Sequence, residues 1–169
     1  MSQSTPKVAV FAPPVFDQAA VRLLCQTARA MEVLKLEKDI NVFGLRAKAF
    51  PNDIGKSFGT LISLLPGIEE RTFFGISFQD ENHDMTYYAS VMESFSGEGS
   101  VYGCDVYTIR KGEYLTELLE DWKKDVASIG ITFQKLAHVR TDTVFPCVEW
   151  YQGDNVLCMV RIDHSLSKI

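Results

Sequence analysis

The feature that most constrains this chain is a pattern of strand and helix signals that occurs twice. Each copy reads as an extended segment, a helix and two short strands, and the copies span about residues 31–93 and 101–163. A single unit of this size leaves an apolar sheet face or helix stripe that it cannot bury alone. We therefore predict an α+β fold in which tandem β-α-β-β repeats form one pseudo-twofold antiparallel-sheet domain, with two helices and a central ligand cleft.

The two helices are predicted from apolar residues at helical spacing. The first stripe follows a possible N-cap at Asp53 and ends at Pro66, and the second follows a possible N-cap at Asp121 and contains Gly130. The stripes consist of Ile54, Phe58, Leu61, Ile62 and Leu65 in the first copy, and Trp122, Val126, Ile129, Phe133 and Leu136 in the second. Each helix should therefore present one apolar face to the sheet.

The strands are predicted from runs rich in β-branched and aromatic residues with polar alternation. Residues 33–50 read as one long strand or a bent hairpin. The second copy opens with strands over 104–109 and 113–120, and each copy closes with a hairpin, over 71–91 and 145–162. Residues 94–100 read as a glycine-rich connector between the copies.

Residues 1–30 do not follow the repeat, and we expect them to form an N-terminal accessory arm beside a domain spanning 31–169. The first residues lack the charged-then-apolar layout of a signal peptide. The longest apolar stretches fall well short of the ~18 residues that cross a bilayer. We therefore expect a cytoplasmic protein that has no membrane partner.

Charge argues against direct nucleic-acid binding, because 17 basic and 22 acidic residues give a net charge of −5. The four cysteines show no paired spacing and no histidine at zinc-ligand distance, so we expect reduced thiols that act as small core residues. These are Cys25, Cys104, Cys147 and Cys158. Neither a metal nor a cofactor is expected.

The most unusual segment is Pro146–Tyr151, because a carboxylate interrupts an apolar and aromatic strand at Glu149. Alternation places Cys147, Glu149 and Tyr151 on one face and Trp150 on the other. An ionised carboxylate in apolar surroundings is costly unless something pairs with it. Glu149 either lies on a solvated face, or is paired internally, or stands at the base of an aromatic pocket where burial raises its pKa.

The double β-α-β-β plan, Lys111-Gly112-Glu113-Tyr114 and Pro146-Cys147-Val148-Glu149-Trp150-Tyr151 resemble the GyrI-like small-molecule-binding family. This family includes a DNA gyrase inhibitor and the effector-binding domains of AraC- and MerR-type regulators. The resemblance covers about residues 31–163 and implies that Glu149 sits in a ligand pocket, with Tyr151 as its neighbour. In some regulators of the family this glutamate contacts cationic lipophilic drugs.

Several other aromatic side chains could line such a pocket, although aromatic residues in strands and helices are as often core residues. Tyr87 and Tyr88 are adjacent, so one of them should face the cleft. The full set expected to bind ligand is Glu149, Tyr151, Trp150, Tyr88, Tyr107, Tyr114, Trp122 and Phe43. The inclusion of Trp150 depends on sheet curvature or a bulge.

Three functions fit these features. The leading one is a stand-alone protein that binds a small hydrophobic ligand, with cations among the candidates, for sequestration or transcription-linked sensing. Through the resemblance, the second is a hydrolase that opens cyclopropane-containing electrophiles, with Glu149 as general base and Tyr114 or Tyr151 as hydrogen-bond donor. The third is a surface-acting interaction protein such as a gyrase inhibitor, whose partner would be gyrase or a regulator.

Overall fold

One antiparallel sheet of eight strands organises residues 30–166, which are the residues described by the computed structural model. The strands are β1 (Glu32–Leu36), β2 (Ile40–Arg46), β3 (Phe73–Gln79), β4 (Met85–Met92), β5 (Asp105–Ile109), β6 (Gly112–Leu119), β7 (Thr143–Gln152) and β8 (Asn155–Ile162). The helices are α1 (Ile54–Leu64), α2 (Glu98–Val101) and α3 (Ala127–Val139). The arm predicted over residues 1–30, with Cys25, lies almost wholly outside the described residues, so that division of the chain stays a prediction.

The strand order is β1-β6-β8-β7-β3-β4-β2-β5, with β7 and β3 at the centre. The two halves of this order mirror each other in chain sequence, which confirms the pseudo-twofold α+β fold. A third helix, α2, forms a single turn that begins within the segment predicted as a connector and ends one residue after it. Among the described helices, none has the length and apolar character needed to cross a membrane.

Both alternatives for residues 33–50, one long strand and a bent hairpin, are wrong, because β1 and β2 are separate strands in opposite halves of the sheet. β1 pairs with β6 of the second copy, and β5 pairs with β2 of the first. Each copy therefore gives its first strand to the other. The strand pattern predicts extended backbone in these segments, but it does not specify which edge completes the hydrogen bonds.

The two faces of the sheet bury different groups of residues. One face holds Phe74, Ile76, Val148 and Met159, and residues of both edge strands pack against them. Because both edges contribute to this cluster, the sheet curls toward this face, which we call the inner face. The outer face carries α1 over β2 and β4, and α3 over β6 and β8.

A buried ion pair fixes α3 to the outer face. Lys135 Nζ lies 2.8 and 3.0 Å from the two carboxylate oxygens of Glu117 on β6, and both side chains are at least nine-tenths buried. Gly130 does not break the helix, although glycine costs about 1 kcal/mol relative to alanine in a helix interior. The predicted cap Asp121 makes no side-chain cap bond and instead precedes a short 3₁₀ turn over Trp122–Lys124.

Candidate functional site

The space between α1 and α3 forms a cleft of about 1340 Å³ above the two central strands. Both helices and both strands contribute to its walls. The lining is mostly apolar and includes Ile54, Phe58 and Ile62 of α1, Ile129 and Phe133 of α3, Phe73 and Ser77 of β3, and Phe145, Cys147, Glu149 and Tyr151 of β7. A cavity of this size and composition suits an organic molecule of drug-like dimensions.

Glu149 is the buried carboxylate of this cleft, with 7% of its surface exposed. Its Oε2 accepts a hydrogen bond of 2.7 Å from the Tyr87 hydroxyl and a second, shorter one from the Tyr151 hydroxyl. The two hydroxyl oxygens lie 3.4 Å apart. Both tyrosines therefore hold the same carboxylate oxygen.

The close approach of Tyr87 and Glu149 depends on Gly75. These two residues belong to β4 and β7, and β3 runs between them with Gly75 directly opposite Glu149. A Cβ atom at position 75 would collide with the Tyr87 hydroxyl oxygen and with Glu149 Oε2. Glycine therefore opens the space above β3 through which the hydrogen bond passes.

Burial raises the pKa of the Glu149 carboxyl above its usual 4.5, and the hydrogen bonds from Tyr151 and Tyr87 oppose part of that rise. Burial also raises the pKa of the Tyr87 and Tyr151 hydroxyls, and the nearby carboxylate adds to this. Both phenols therefore remain protonated donors at neutral pH. The burial that raises the Cys147 thiol pKa likewise keeps this group protonated.

Within residues 30–166, no basic side chain forms an ion pair with Glu149. Lys123 lines the same cleft, but its ammonium pairs with Asp154 at 3.2 Å. His83 also lines the cleft, at the loop between β3 and β4. The site thus contains a desolvated carboxyl that is held by two neutral donors, and such a group can accept a proton or a cation.

Three of the residues expected from the sequence meet in this cleft: Glu149, Tyr151 and Trp122. The ring centroids of Trp122 and Tyr151 lie 5.1 Å apart. The Trp122 Nε1 atom is buried, and among the described residues it has no hydrogen-bond partner. Alternation along β7 places Tyr151 on the outer face with Glu149, as the sequence pattern predicts.

The other five expected residues do not line the cleft. Trp150 lies on the inner face, where its ring centroid is 5.6 Å from that of Phe74, because the bulge in β7 precedes Cys147 and leaves the alternation after it intact. Tyr88, Tyr107 and Tyr114 also lie on the inner face; Tyr114 donates to the Arg110 carbonyl at 2.6 Å. Phe43 is fully buried against Leu61 beneath α1.

Sequence reasoning missed Tyr87, Gly75 and Phe58 as parts of the site. The Phe58 ring contacts both tyrosines, with centroids 6.4 Å from that of Tyr87 and 5.5 Å from that of Tyr151. Pattern alone left Tyr87 and Tyr88 equivalent. The available signal was Gly75, a small residue within a strand that otherwise carries large side chains, which marks a close approach.

Comparisons with known proteins agree on the fold. SAV2435, solved in complex with tetraphenylphosphonium, aligns at a TM-score of 0.59 and 12% identity, over 82% of this chain and 97% of that one. The integron cassette protein VCH_CASS2 from the mobile metagenome of Vibrio cholerae aligns at 0.61 and 11% identity, over 80% and 97%. A hydrolase from Listeria innocua aligns at 0.53 and 12% identity, over 84% and 97%.

No protein-family model matches the sequence, and no curated protein matches it. The identities to the solved structures are low, so these likenesses show the fold alone. The resemblance to the GyrI-like family therefore stays a prediction.

Proposed function

We propose that this protein binds hydrophobic small molecules in the cleft between α1 and α3 and favours cations through Glu149. The observation that carries the proposal is the carboxyl of Glu149, which is buried in an apolar cleft and has only tyrosine hydroxyls as its hydrogen-bond partners among residues 30–166. A desolvated carboxylate gains more from a nearby cation than an exposed one does, because water screens the exposed pair.

The walls of the cleft suit such a guest. Apolar side chains of both helices would cover its hydrophobic body, and burial stabilises by about 25 cal/mol per Å² of apolar surface. The faces of Trp122 and Tyr151 could each add roughly 0.5–2 kcal/mol if a cation stood over them. Charge preference and hydrophobic burial would thus act on one ligand together.

The solved complex of SAV2435 with tetraphenylphosphonium supports this ligand class by analogy, because that protein shares the fold. The output of binding would be sequestration of the ligand, or transcription-linked sensing through a separate regulator. Both outputs follow from the GyrI-like resemblance, and both begin with the same binding step.

The test is a titration of the protein with tetraphenylphosphonium, in which calorimetry measures the affinity. The Glu149→Gln variant should bind this cation at least about tenfold more weakly, which corresponds to about 1.4 kcal/mol. Binding of uncharged triphenylphosphine oxide should change little. Glu120→Gln, which alters the net charge equally at an exposed position, serves as control. Equal affinity of wild type and Glu149→Gln for the cation would overturn the proposal.

A second function, hydrolysis of electrophilic small molecules, is favoured by the position of Glu149 as a proton acceptor beside two hydroxyl donors and by the hydrolase from Listeria innocua that shares the fold. Water oxygen would bond to a carbon of a strained cyclopropane ring as Glu149 takes the proton. The carbon–carbon bond would break, its electron pair would stay on the product, and Glu149 would return the proton.

Binding and hydrolysis are distinguished by the fate of the ligand. In the binding function a cyclopropane-containing electrophile is recovered intact after incubation. In the hydrolytic function a ring-opened product with one added water accumulates over many turnovers, and Glu149→Gln abolishes product formation while the substrate still binds. Mass spectrometry of the incubation mixture measures both outcomes.

A further inference from the structure

The cleft floor contains a second polar position that the proposed function does not use. On the central strands, Gly75 pairs with Glu149, and two residues along the same face Ser77 pairs with Cys147. Ser77 therefore lies on the cleft-facing side of β3, two residues along the strand from the position opposite Glu149.

Ser77 is 5% exposed and lines the cleft. Across the described part of the chain, its hydroxyl has no hydrogen-bond partner. A hydroxyl that faces the cleft and has no protein partner can donate its hydrogen to an acceptor on a ligand. Its neighbour Cys147 is 3% exposed, also lines the cleft, and carries a protonated thiol. Two groups with hydrogens to donate thus lie side by side without an acceptor.

We propose that Ser77, assisted by Cys147, forms a second subsite that receives a hydrogen-bond acceptor such as a carbonyl oxygen of the ligand. This inference rests on the proposed binding function and narrows its ligand class. The ligand has a cationic group near Glu149 and an acceptor oxygen near Ser77. Diagonal neighbours on adjacent strands lie about 7–8 Å apart, so the two groups are separated by about the length of a benzene ring and its substituents.

The probes are (4-acetylphenyl)triphenylphosphonium and (4-isopropylphenyl)triphenylphosphonium. They have the same charge and nearly the same shape, and differ in having a carbonyl oxygen or a methyl group at one position. Wild type should bind the acetyl compound roughly three- to tenfold more tightly, the range expected for one hydrogen bond between neutral groups. Ser77→Ala should abolish this preference and leave the affinity for the isopropyl compound unchanged.

Ser90→Ala is the matched control, because Ser90 is a buried serine on β4 and belongs to the inner face. This variant should keep the wild-type preference. If both cations bind but wild type does not distinguish them, or Ser77→Ala keeps the preference, the subsite is overturned and the proposed function stands. If neither cation binds to wild type, the proposed function is overturned and the subsite with it.

Discussion

Tyr87 and Glu149 meet across an intervening strand: the hydroxyl of one, on β4, donates at 2.7 Å to the carboxylate of the other, on β7. The bond passes above Gly75 of β3. The Glu149 carboxyl, which belongs to the second repeat, is therefore held in place by a tyrosine of the first repeat.

Gly75→Ala should destabilise the protein by about 1–3 kcal/mol, because the added methyl collides with both partners of this hydrogen bond. Urea denaturation measures the loss. Gly59→Ala in α1 is the matched control, since a Cβ there has open space around it, and it should raise the stability by up to about 1 kcal/mol. Equal effects of the two substitutions would contradict the role assigned to Gly75.

Tyr87→Phe should raise the pKa of Glu149 further, because the lost hydrogen bond favours the charged carboxylate. The carboxyl band in infrared spectra recorded across a pH series measures this, with Glu149→Gln identifying the band. Tyr88→Phe changes the adjacent tyrosine on the inner face and should leave the band unmoved. A pKa that stays constant in Tyr87→Phe would show that the hydrogen bond contributes little.

The buried carboxyl should make stability fall as pH rises. Because the pKa of Glu149 in the folded protein exceeds 4.5, the folded state retains a proton that the unfolded chain releases. The resulting stabilisation is fully present below pH 4.5 and is lost as pH rises through the folded-state pKa. Glu149→Gln removes this titration, so its stability relative to wild type should increase as pH rises above about 4.5. Urea denaturation at several pH values checks the trend, and a constant difference would contradict it.

Lys135→Met should lower the free energy of unfolding by about 3–5 kcal/mol, because it leaves the buried Glu117 carboxylate without its partner. The double variant that also carries Glu117→Leu should recover most of this loss, since no buried charge remains. Chemical denaturation of the single and double variants provides the measurement. A double variant as unstable as Lys135→Met would indicate that packing, not charge burial, dominates at this contact.

The two tryptophans should report differently on ligand binding, because Trp122 lines the cleft and Trp150 lies on the inner face. Tetraphenylphosphonium should alter the fluorescence of wild type and of Trp150→Phe alike. The change should largely disappear in Trp122→Phe. A signal that persists in Trp122→Phe and vanishes in Trp150→Phe would place the ligand on the other side of the sheet.

The sequence pattern predicts much of this architecture for a physical reason. Helical spacing and strand alternation are local properties, so α1, α3 and the closing hairpins follow from neighbouring residues. The same alternation places Glu149 and Tyr151 on one face. Strand partners depend on contacts distant in sequence, and local signals do not specify them. This is why the exchange of β1 and β5 was missed.

The site residues that the sequence does not predict are also determined by contacts distant in sequence. Tyr87 and Tyr88 are adjacent and chemically identical, and only the register of β4 against β3 decides that Tyr87 faces Glu149. Aromatic side chains suited to a pocket occur at Trp150, Tyr107 and Tyr114. All three pack on the inner face of the curled sheet instead. Aromatic character predicts burial well, and it does not predict which side of a sheet is buried.

The exchanged edge strands bear on how a guest could enter. β1 of the first repeat pairs with β6 of the second, and β5 of the second repeat pairs with β2 of the first. Each repeat therefore contributes an edge strand to the other. The two repeats cannot hinge apart without breaking the main-chain hydrogen bonds of β1 with β6 and of β5 with β2. A ligand can therefore reach the cleft between α1 and α3 while the sheet beneath it stays in one piece.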